Sequence, residues 1–342
     1  MNPRSPVKVS VVGASGYVGE ELVRLLLRHP QAQIIGVSSR QHAGRTIAEM
    51  LPRLAGLNAA HELRFSEEWN GEADVVFLAL PHGVAAEFAQ SALAAGKRVI
   101  DLSADFRTKD AAVYEEFYSS RHAAPELLGQ AIYGLPEFKR DQIAGAKLVA
   151  CPGCYPTSIL IPLLPLVQER LVRTDDLIAD SLSGVSGAGR KADLQYLFPE
   201  CNESLRAYGV PKHRHLSEIE QELSAAAGEK VAIQFTPHLV PVSRGILTTI
   251  YARPSKSADA IGQALKERWS KEPFVRLLTG DALPDTKNVT GTNFIEIAWR
   301  FDPRTGRVIL FSAEDNIVKG ASGQAVQCFN IMCGFEETAG LV

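Results

Sequence analysis

The sequence offers no disulfide framework, no excess of either charge and no long apolar run. Its five cysteines are odd in number and scattered at positions 151, 154, 201, 328 and 333. That argues against a small disulfide-stapled fold and for free thiols in a reducing, cytoplasmic setting. A net charge of -3, from 36 basic and 39 acidic residues, argues against a chain built to bind nucleic acid or an anionic membrane. The most apolar stretch, Ser158 to Val167, is too short to span a bilayer and carries Pro162 and Pro165. The opening MNPRSPVKVSVVGAS lacks the apolar core and cleavage signature of a secretory signal. No internal repeat or low-complexity tract is visible. What remains is a globular chain of 342 residues, long enough for two domains.

The first half alternates short apolar runs with helical patterns. Val7 to Val12, Ile34 to Ser38, Asp74 to Leu80 and Arg98 to Leu102 read as buried strands, with helices over Tyr17 to His29 and Val84 to Ala95. That order predicts an α/β fold with a doubly wound parallel sheet, running to about Ala150. Beyond it the texture changes. Strands are expected at Leu177 to Leu182, Val231 to Pro237, Gly245 to Ala252, Phe294 to Ile297 and Arg307 to Ser312, with fewer helices between them. A second, mixed α+β domain with a more antiparallel sheet follows from that.

Five segments carry chemistry. Gly13, Gly16 and Gly19, with Ser15, Tyr17 and Val18 between them, follow a strand and open a helix. Such a turn lets the backbone approach a pyrophosphate at a helix N-terminus, although the same glycines also suit a tight turn with no ligand. Where an NAD binder usually places an acidic residue, at the end of the second strand, the chain has Ser38, Ser39 and Arg40. Hydroxyls and a guanidinium suit a 2′-phosphate, so NADP(H) is expected rather than NAD(H); the alternative is an ordinary surface arginine. The third segment, ACPGCYPTS, pairs Cys151 and Cys154. It lies too late in the chain for a thioredoxin-type motif, and a structural zinc would need matched ligand pairs that His213, His215 and Cys201 do not supply. No metal is expected. Cys154 falls at a helix start, where the N-terminus stabilises a thiolate, and Cys151 reads as a neighbour held extended by Pro152; a buried, inert cysteine is the alternative for either. His213 and His215, in GVPKHRH, could shuttle protons for such a cysteine. Lastly, Ser103 and Arg107 of DLSADFR lie past a strand's carboxyl end, where they could grip an anionic substrate or merely pair with Asp105.

Taken in order, GASGYVGEEL, LPHG, DLSADFR, YGLPE, PGCYPT, SGVSGAGRK, HRHLSEI, FTPHLVPVSRGI, GTNF and DNIVKGASGQAVQ resemble the N-acetyl-γ-glutamyl-phosphate reductases of arginine biosynthesis. The resemblance covers nearly the whole chain. PGCYPT is its most specific block, and the DN-x-x-KG-A block is shared with aspartate-semialdehyde dehydrogenases. Ser158 departs from it, standing where glycine or alanine is expected. The resemblance implies a Rossmann domain over residues 1–153 and 316–342 and a glyceraldehyde-3-phosphate-dehydrogenase-like α+β catalytic and dimerisation domain over 154–315. It also implies NADPH-dependent reduction of N-acetyl-L-glutamyl 5-phosphate to the 5-semialdehyde and phosphate, through a thioester on Cys154 with His215 moving protons. It assigns His213, Arg107, Ser186 and Arg190 to the substrate, with Lys191 nearby. Pro81, Ser183, Gly187, Asn316 and Gln324 fall to the cofactor, beside His82, Gly83 and Gly320. A homodimer or homotetramer is expected, with no nucleic acid or membrane partner. The same parts would serve a carrier-linked aminoadipyl or glutamyl phosphate, or survive in a non-catalytic NADP sensor.

Overall fold

The computed structural model describes residues 5–69 and 71–342; residues 1–4, part of the segment read above for a signal and of the expected nucleotide domain, lie outside the described residues. The chain divides into two compact units, Met1–Pro152 with Ala321–Val342, and Gly153–Gly320.

The first unit is a seven-stranded sheet of β1 (Val7–Val12), β2 (Ala32–Ser38), β3 (Phe65–Ser66), β4 (Val75–Leu78), β5 (Arg98–Asp101), β6 (Ile132–Tyr133) and β7 (Leu148–Ala150). Its spatial order is β3-β2-β1-β4-β5-β7-β6 and every pairing is parallel. Strands covered on both faces need apolar residues at every position rather than every second one, and all four residues of β4 are buried. The order reverses between β1 and β4, the switch point at which sheets of this kind leave a crevice at their carboxyl ends. Helices α1 (Tyr17–Leu26), α2 (Ala85–Ala94), α3 (Ala111–Tyr118) and α4 (Pro136–Ala144) connect the strands. α1 stops short of the expected His29 because Pro30 disfavours helical backbone at the residue before it. The C-terminal helix, Gly323–Cys333, belongs to this unit: Phe329 lies 5.7 Å from the Phe77 ring of β4, and His29 Nε2 meets Asn330 Oδ1 at 2.8 Å.

The second unit holds α5 (Cys154–Gln168), α6 (Leu216–Ala227) and α7 (Ala258–Trp269) on a sheet of β8 (Leu177–Gly184), β9 (Arg206–Ala207), β10 (Ile233–Val240), β11 (Ile246–Ala252), β12 (Val275–Leu277), β13 (Ile295–Asp302) and β14 (Arg307–Glu314). The order is β12-β13-β14-β11-β8-β10-β9, with β8–β10 and β12–β13 parallel and the other neighbours antiparallel. Burial alternates strictly along β11, as a sheet with one fully covered face requires. The expected α/β class, one doubly wound parallel sheet and one mixed domain, is the observed one. The helices missed in the sequence are α3, α4 and α7; in α7 the buried Ile261, Ala264, Leu265 and Trp269 follow a helical period behind a Ser257 cap.

α5 has no polar face; every residue from Tyr155 to Val167 is buried. Pro156 is harmless in the first turn, where amides have no helical partner. Pro162, mid-helix, cannot donate to the carbonyl of Ser158, and Ser312 Oγ supplies that bond instead at 2.6 Å. Ser158 Oγ meets Thr248 Oγ1 at 2.8 Å, and Thr248 meets Ser181 Oγ at 2.7 Å. Ser181, Thr248 and Ser312 are paired in register across three strands. A serine at 158 therefore completes a buried hydroxyl ladder that glycine or alanine would leave one member short.

Candidate active site

Cys154 is the first residue of α5, with Gly153 as its cap in extended backbone (φ -68, ψ 160). The thiol thus stands at a helix N-terminus, where the backbone dipole favours a thiolate. His215 and Glu218 close in through Gly153. A Cβ built on Gly153 would lie 2.6 Å from His215 Nε2 and 2.8 Å from Glu218 Oε1, so only glycine permits this approach. Glu218 is fully buried; its Oε2 accepts the Gly153 amide at 3.0 Å and its Oε1 is 4.0 Å from His215 Nε2. A thiol at a helix start, an imidazole against the preceding residue and a carboxylate oriented to that imidazole can perform acyl transfer with proton shuttling. The sequence reading missed Glu218, although its place three residues after His215 puts both on one side of a first helical turn.

His213 plays a different part from His215. Its Nδ1 accepts the His215 amide at 3.1 Å, and its ring makes edge contacts with Tyr155 and Phe235 at 5.5 and 5.6 Å. Burial, and secondarily the Arg214 charge, lower its pKa to about 4. His213 is therefore neutral at neutral pH, with its proton on Nε2, and orders the backbone beneath His215. Tyr155 OH meets Tyr208 OH at 2.7 Å, and desolvation raises the pKa of both phenols. As pH falls below the ordinary 6.5, the unfolded chain takes up a proton at His213 that the folded chain refuses until about 4. Stability is lost across that window, by about 3 kcal/mol once it is passed. His213→Phe, which keeps a ring, should remove this part of the difference between denaturant midpoints at neutral and acid pH; an unaltered difference would show that the histidine is not responsible.

Cys151 differs from Cys154. It belongs to the first unit, is 1% exposed, and its amide donates to Asp101 O at 2.7 Å. Neither cysteine forms a disulfide. Among the described residues no group of three or more His, Cys, Asp or Glu side chains is placed to hold a metal ion.

In the first unit the three glycines have three distinct geometries. Gly13 has φ +85, and a Cβ there would strike Ala79 O at 2.4 Å; at Gly19 one would strike Gly13 O at 2.4 Å. At Gly16 a Cβ would meet nothing within 4 Å, so the protein itself does not demand glycine there. A turn, an open approach and a close helix–strand contact are the features a pyrophosphate cradle needs, and the residues present fit a dinucleotide. The Gly13 and Ala14 amides donate to Ser38 O, both at 3.1 Å, and Ser15 Oγ meets Ser39 Oγ at 2.9 Å. The loop is so tied to the end of β2, beyond which Arg40 is exposed. Tyr17 is exposed, Val18 half-buried and Pro81 exposed, while Gln324 is fully buried in the C-terminal helix.

DLSADFR is built into the end of β5. Ser103 is buried, donating from Oγ to Asp101 Oδ2 at 2.9 Å and accepting the Asp105 amide at 3.1 Å. Asp105 accepts from the Gly83 and Ala86 amides at the start of α2 and from Tyr114 OH. Burial, then the neighbouring Asp105 charge, pushes the pKa of Asp101 up to about 7. Arg107 donates from Nε to Cys151 O at 2.8 Å and from Nη2 to Leu102 O at 3.0 Å, which braces the segment leading to Cys154. In the second unit Ser183, Ser186, Gly187 and Asn316 form one cluster. Asn316 Nδ2 donates to Ser186 Oγ at 3.0 Å, its Oδ1 accepts the Gly245 amide at 2.8 Å, and Ser183 Oγ donates to Gly184 O. Arg190 is exposed nearby in sequence, and Lys191 pairs with Asp193 at 2.9 Å.

Comparison with known proteins gives this arrangement a class. Residues 8–146 match the family described as semialdehyde dehydrogenase, NAD binding domain, and residues 154–316 match semialdehyde dehydrogenase, dimerisation domain. Aspartate semialdehyde dehydrogenase II from Vibrio cholerae, complexed with ASA, has the same fold: TM-score 0.74 at 18% identity, covering 97% of this chain and 99% of that one. Aspartate semialdehyde dehydrogenase with NADP from Candida albicans aligns with TM-score 0.73 at 19% identity, covering 96% and 98%. The chain is an oxidoreductase of the semialdehyde dehydrogenase class, built around a nicotinamide cofactor. An N-acetyl-gamma-glutamyl-phosphate reductase of Akkermansia muciniphila is 56% identical over 98% of both chains, and one of Pelotomaculum thermopropionicum is 51% identical over 98% of this chain and 97% of its own. The chain belongs to the N-acetyl-gamma-glutamyl-phosphate reductase family.

Proposed function

We propose that the protein reduces N-acetyl-L-glutamyl 5-phosphate to N-acetyl-L-glutamate 5-semialdehyde and phosphate, in the cytoplasm, as a step of arginine biosynthesis. The observation that carries this reading is Cys154 at the start of α5 with His215 packed against Gly153. In it the Cys154 sulfur attacks the acyl carbon while its proton passes to His215 Nε2. A carbon–sulfur bond forms, the bond to the phosphate oxygen breaks, and a thioester remains on Cys154. NADPH, when bound, supplies the hydride that this thioester needs. His215 returns the proton as the semialdehyde leaves, with His213 and Glu218 holding its backbone and ring. Arg107 of the first unit and Arg190 of the second are the cations we assign to the substrate's anionic groups, and the hydroxyls of Ser103 and Ser186 are assigned to it as well. The cofactor cradle is Gly13 to Gly19, and Pro81, Ser183, Gly187, Asn316 and Gln324 complete the assignment by family resemblance.

Ser38, Ser39 and Arg40 support NADP(H) over NAD(H), because no carboxylate stands at the end of β2 to repel a 2′-phosphate. Arg40→Ala should weaken NADPH about ten-fold or more and leave NADH nearly unchanged in a fluorescence titration. Equal weakening of both would remove the argument. Assembly into a homodimer or homotetramer is supported by the half-buried sheet face of the second unit, where Ile178, Leu182, Leu247, Tyr251, Ile309 and Phe311 present apolar surface. The reading is tested by phosphate-dependent reduction of NADP+ with a panel of acetylated, free and carrier-linked semialdehydes. Turnover confined to the acetylated compound is expected; a preference for a carrier-linked one would move the substrate, and none at all from folded, NADP+-binding protein would sink the enzymatic reading.

A further inference from the structure

The core beneath the cysteine carries a carboxyl group that the proposed chemistry does not use. β14 ends at Glu314, which follows Val308, Leu310 and Ser312 on the face of the sheet that packs against α5, and it is fully buried. Gly320 lies in the π-helical turn Val318–Ser322, a deviation from α-helix often found at working sites. A Cβ built on Gly320 would lie 2.7 Å from Cys154 Cβ, 3.1 Å from Cys154 Cα and 2.9 Å from Glu314 Oε1. The cysteine and the carboxylate therefore both abut one glycine, which puts no side chain of its own between them. The backbone of Gly320 is not left-handed, so it is close approach that glycine serves here.

α6 brings His215 and Glu218 to Gly153, and Tyr155 and Tyr208 bring phenols whose ionisation the Cys154 charge opposes. Beyond β14, Asp315 is fully buried with Arg244 Nη1 at 3.5 Å, and the π turn contributes Lys319, fully buried, with Nζ 5.9 Å from the Phe274 ring. Glu314 is the carboxylate that shares a contact point with Cys154 itself.

We propose that Glu314 is ionised in the folded protein and is a positioning residue for Cys154, its buried carboxylate holding the thiol in the protonated form until His215 takes the proton. The inference rests on Cys154 being the nucleophile. A negative charge in a site shielded from water opposes a second one strongly. It works against the helix N-terminus, which favours the thiolate. The balance has a chemical use: a thiolate of higher proton affinity is intrinsically the stronger nucleophile, and a thiol kept protonated between turnovers is less open to oxidation.

The test reads the thiol directly. Alkylation of Cys154 by iodoacetamide is followed by peptide mass spectrometry from neutral to alkaline pH. Glu314→Gln should alkylate about ten-fold faster than wild type at neutral pH, its midpoint lowered by about one unit. Glu314→Asp, which keeps the charge, should stay close to wild type. If the glutamine variant does not fold, Glu314→Leu, suited to an apolar core, replaces it with the same expectation. A midpoint unmoved or raised in the folded neutral variant overturns the proposal. The alkylation readout needs no turnover, so loss of the nucleophile reading (a Cys154→Ser variant that still turns over) is a separate outcome from loss of this coupling.

Discussion

Cys154→Ser is expected to lower turnover by about a thousand-fold or more while leaving NADP+ binding intact, and Cys151→Ser is expected to retain most activity. The two substitutions remove the same atom three residues apart, so their contrast isolates position from chemistry. A serine hydroxyl at the start of α5 keeps the shape of the site but does not ionise near neutral pH, and the helix N-terminus cannot make up that difference. Cys151 is 1% exposed and stands in the first unit at the end of β7, so a serine there costs packing rather than reactivity. The comparison is made in the reverse assay with nucleotide affinity measured beside it. Activity surviving in Cys154→Ser and lost in Cys151→Ser would transfer the chemistry to the other sulfur.

His215→Asn is the second large effect, a fall in kcat of about a hundred- to ten-thousand-fold. Asparagine can still hydrogen-bond but cannot carry the proton from sulfur to product. Because Glu218 accepts from the Gly153 amide independently of the imidazole, the start of α5 should keep its form in the variant. The expected signature is therefore a loss in kcat with KM little altered, and the disappearance of one limb of the pH–rate profile. A variant that lost only KM would make His215 a substrate contact and reopen the role of His213.

The elements that were legible in the sequence are those whose period is strong and local. β4 announces itself as a continuous apolar run and β1 and β2 as short stretches rich in valine and isoleucine, and the first glycine turn sits between a strand and a helix as its spacing demands. α7 was illegible because it is a surface helix with a narrow buried stripe inside an otherwise polar stretch. At the candidate site, Cys154 and the histidine pair could be read from residue type and chain position. Glu218 and Glu314 could not, because a glutamate in a sequence reads as solvated surface, and only the fold brings these two to Gly153 and Gly320. Ser103 and Arg107 are legible as a hydroxyl and a guanidinium beyond a strand, but the hydrogen bonds by which they brace the loop and the carbonyl of Cys151 are not.

Pro162 and Ser312 are 150 positions apart in the chain yet share one carbonyl, that of Ser158. Their contributions should therefore be non-additive. Ser312→Ala alone leaves a buried acceptor without its donor, at about 1–3 kcal/mol. With Pro162→Ala already in place, a backbone amide returns to the position that proline removed, and the second loss should shrink. A thermodynamic cycle over the four proteins would measure how far a helix interrupted by proline depends on a hydroxyl borrowed from the neighbouring sheet, and would mark the two positions as a pair to be changed together in any redesign of the core under Cys154.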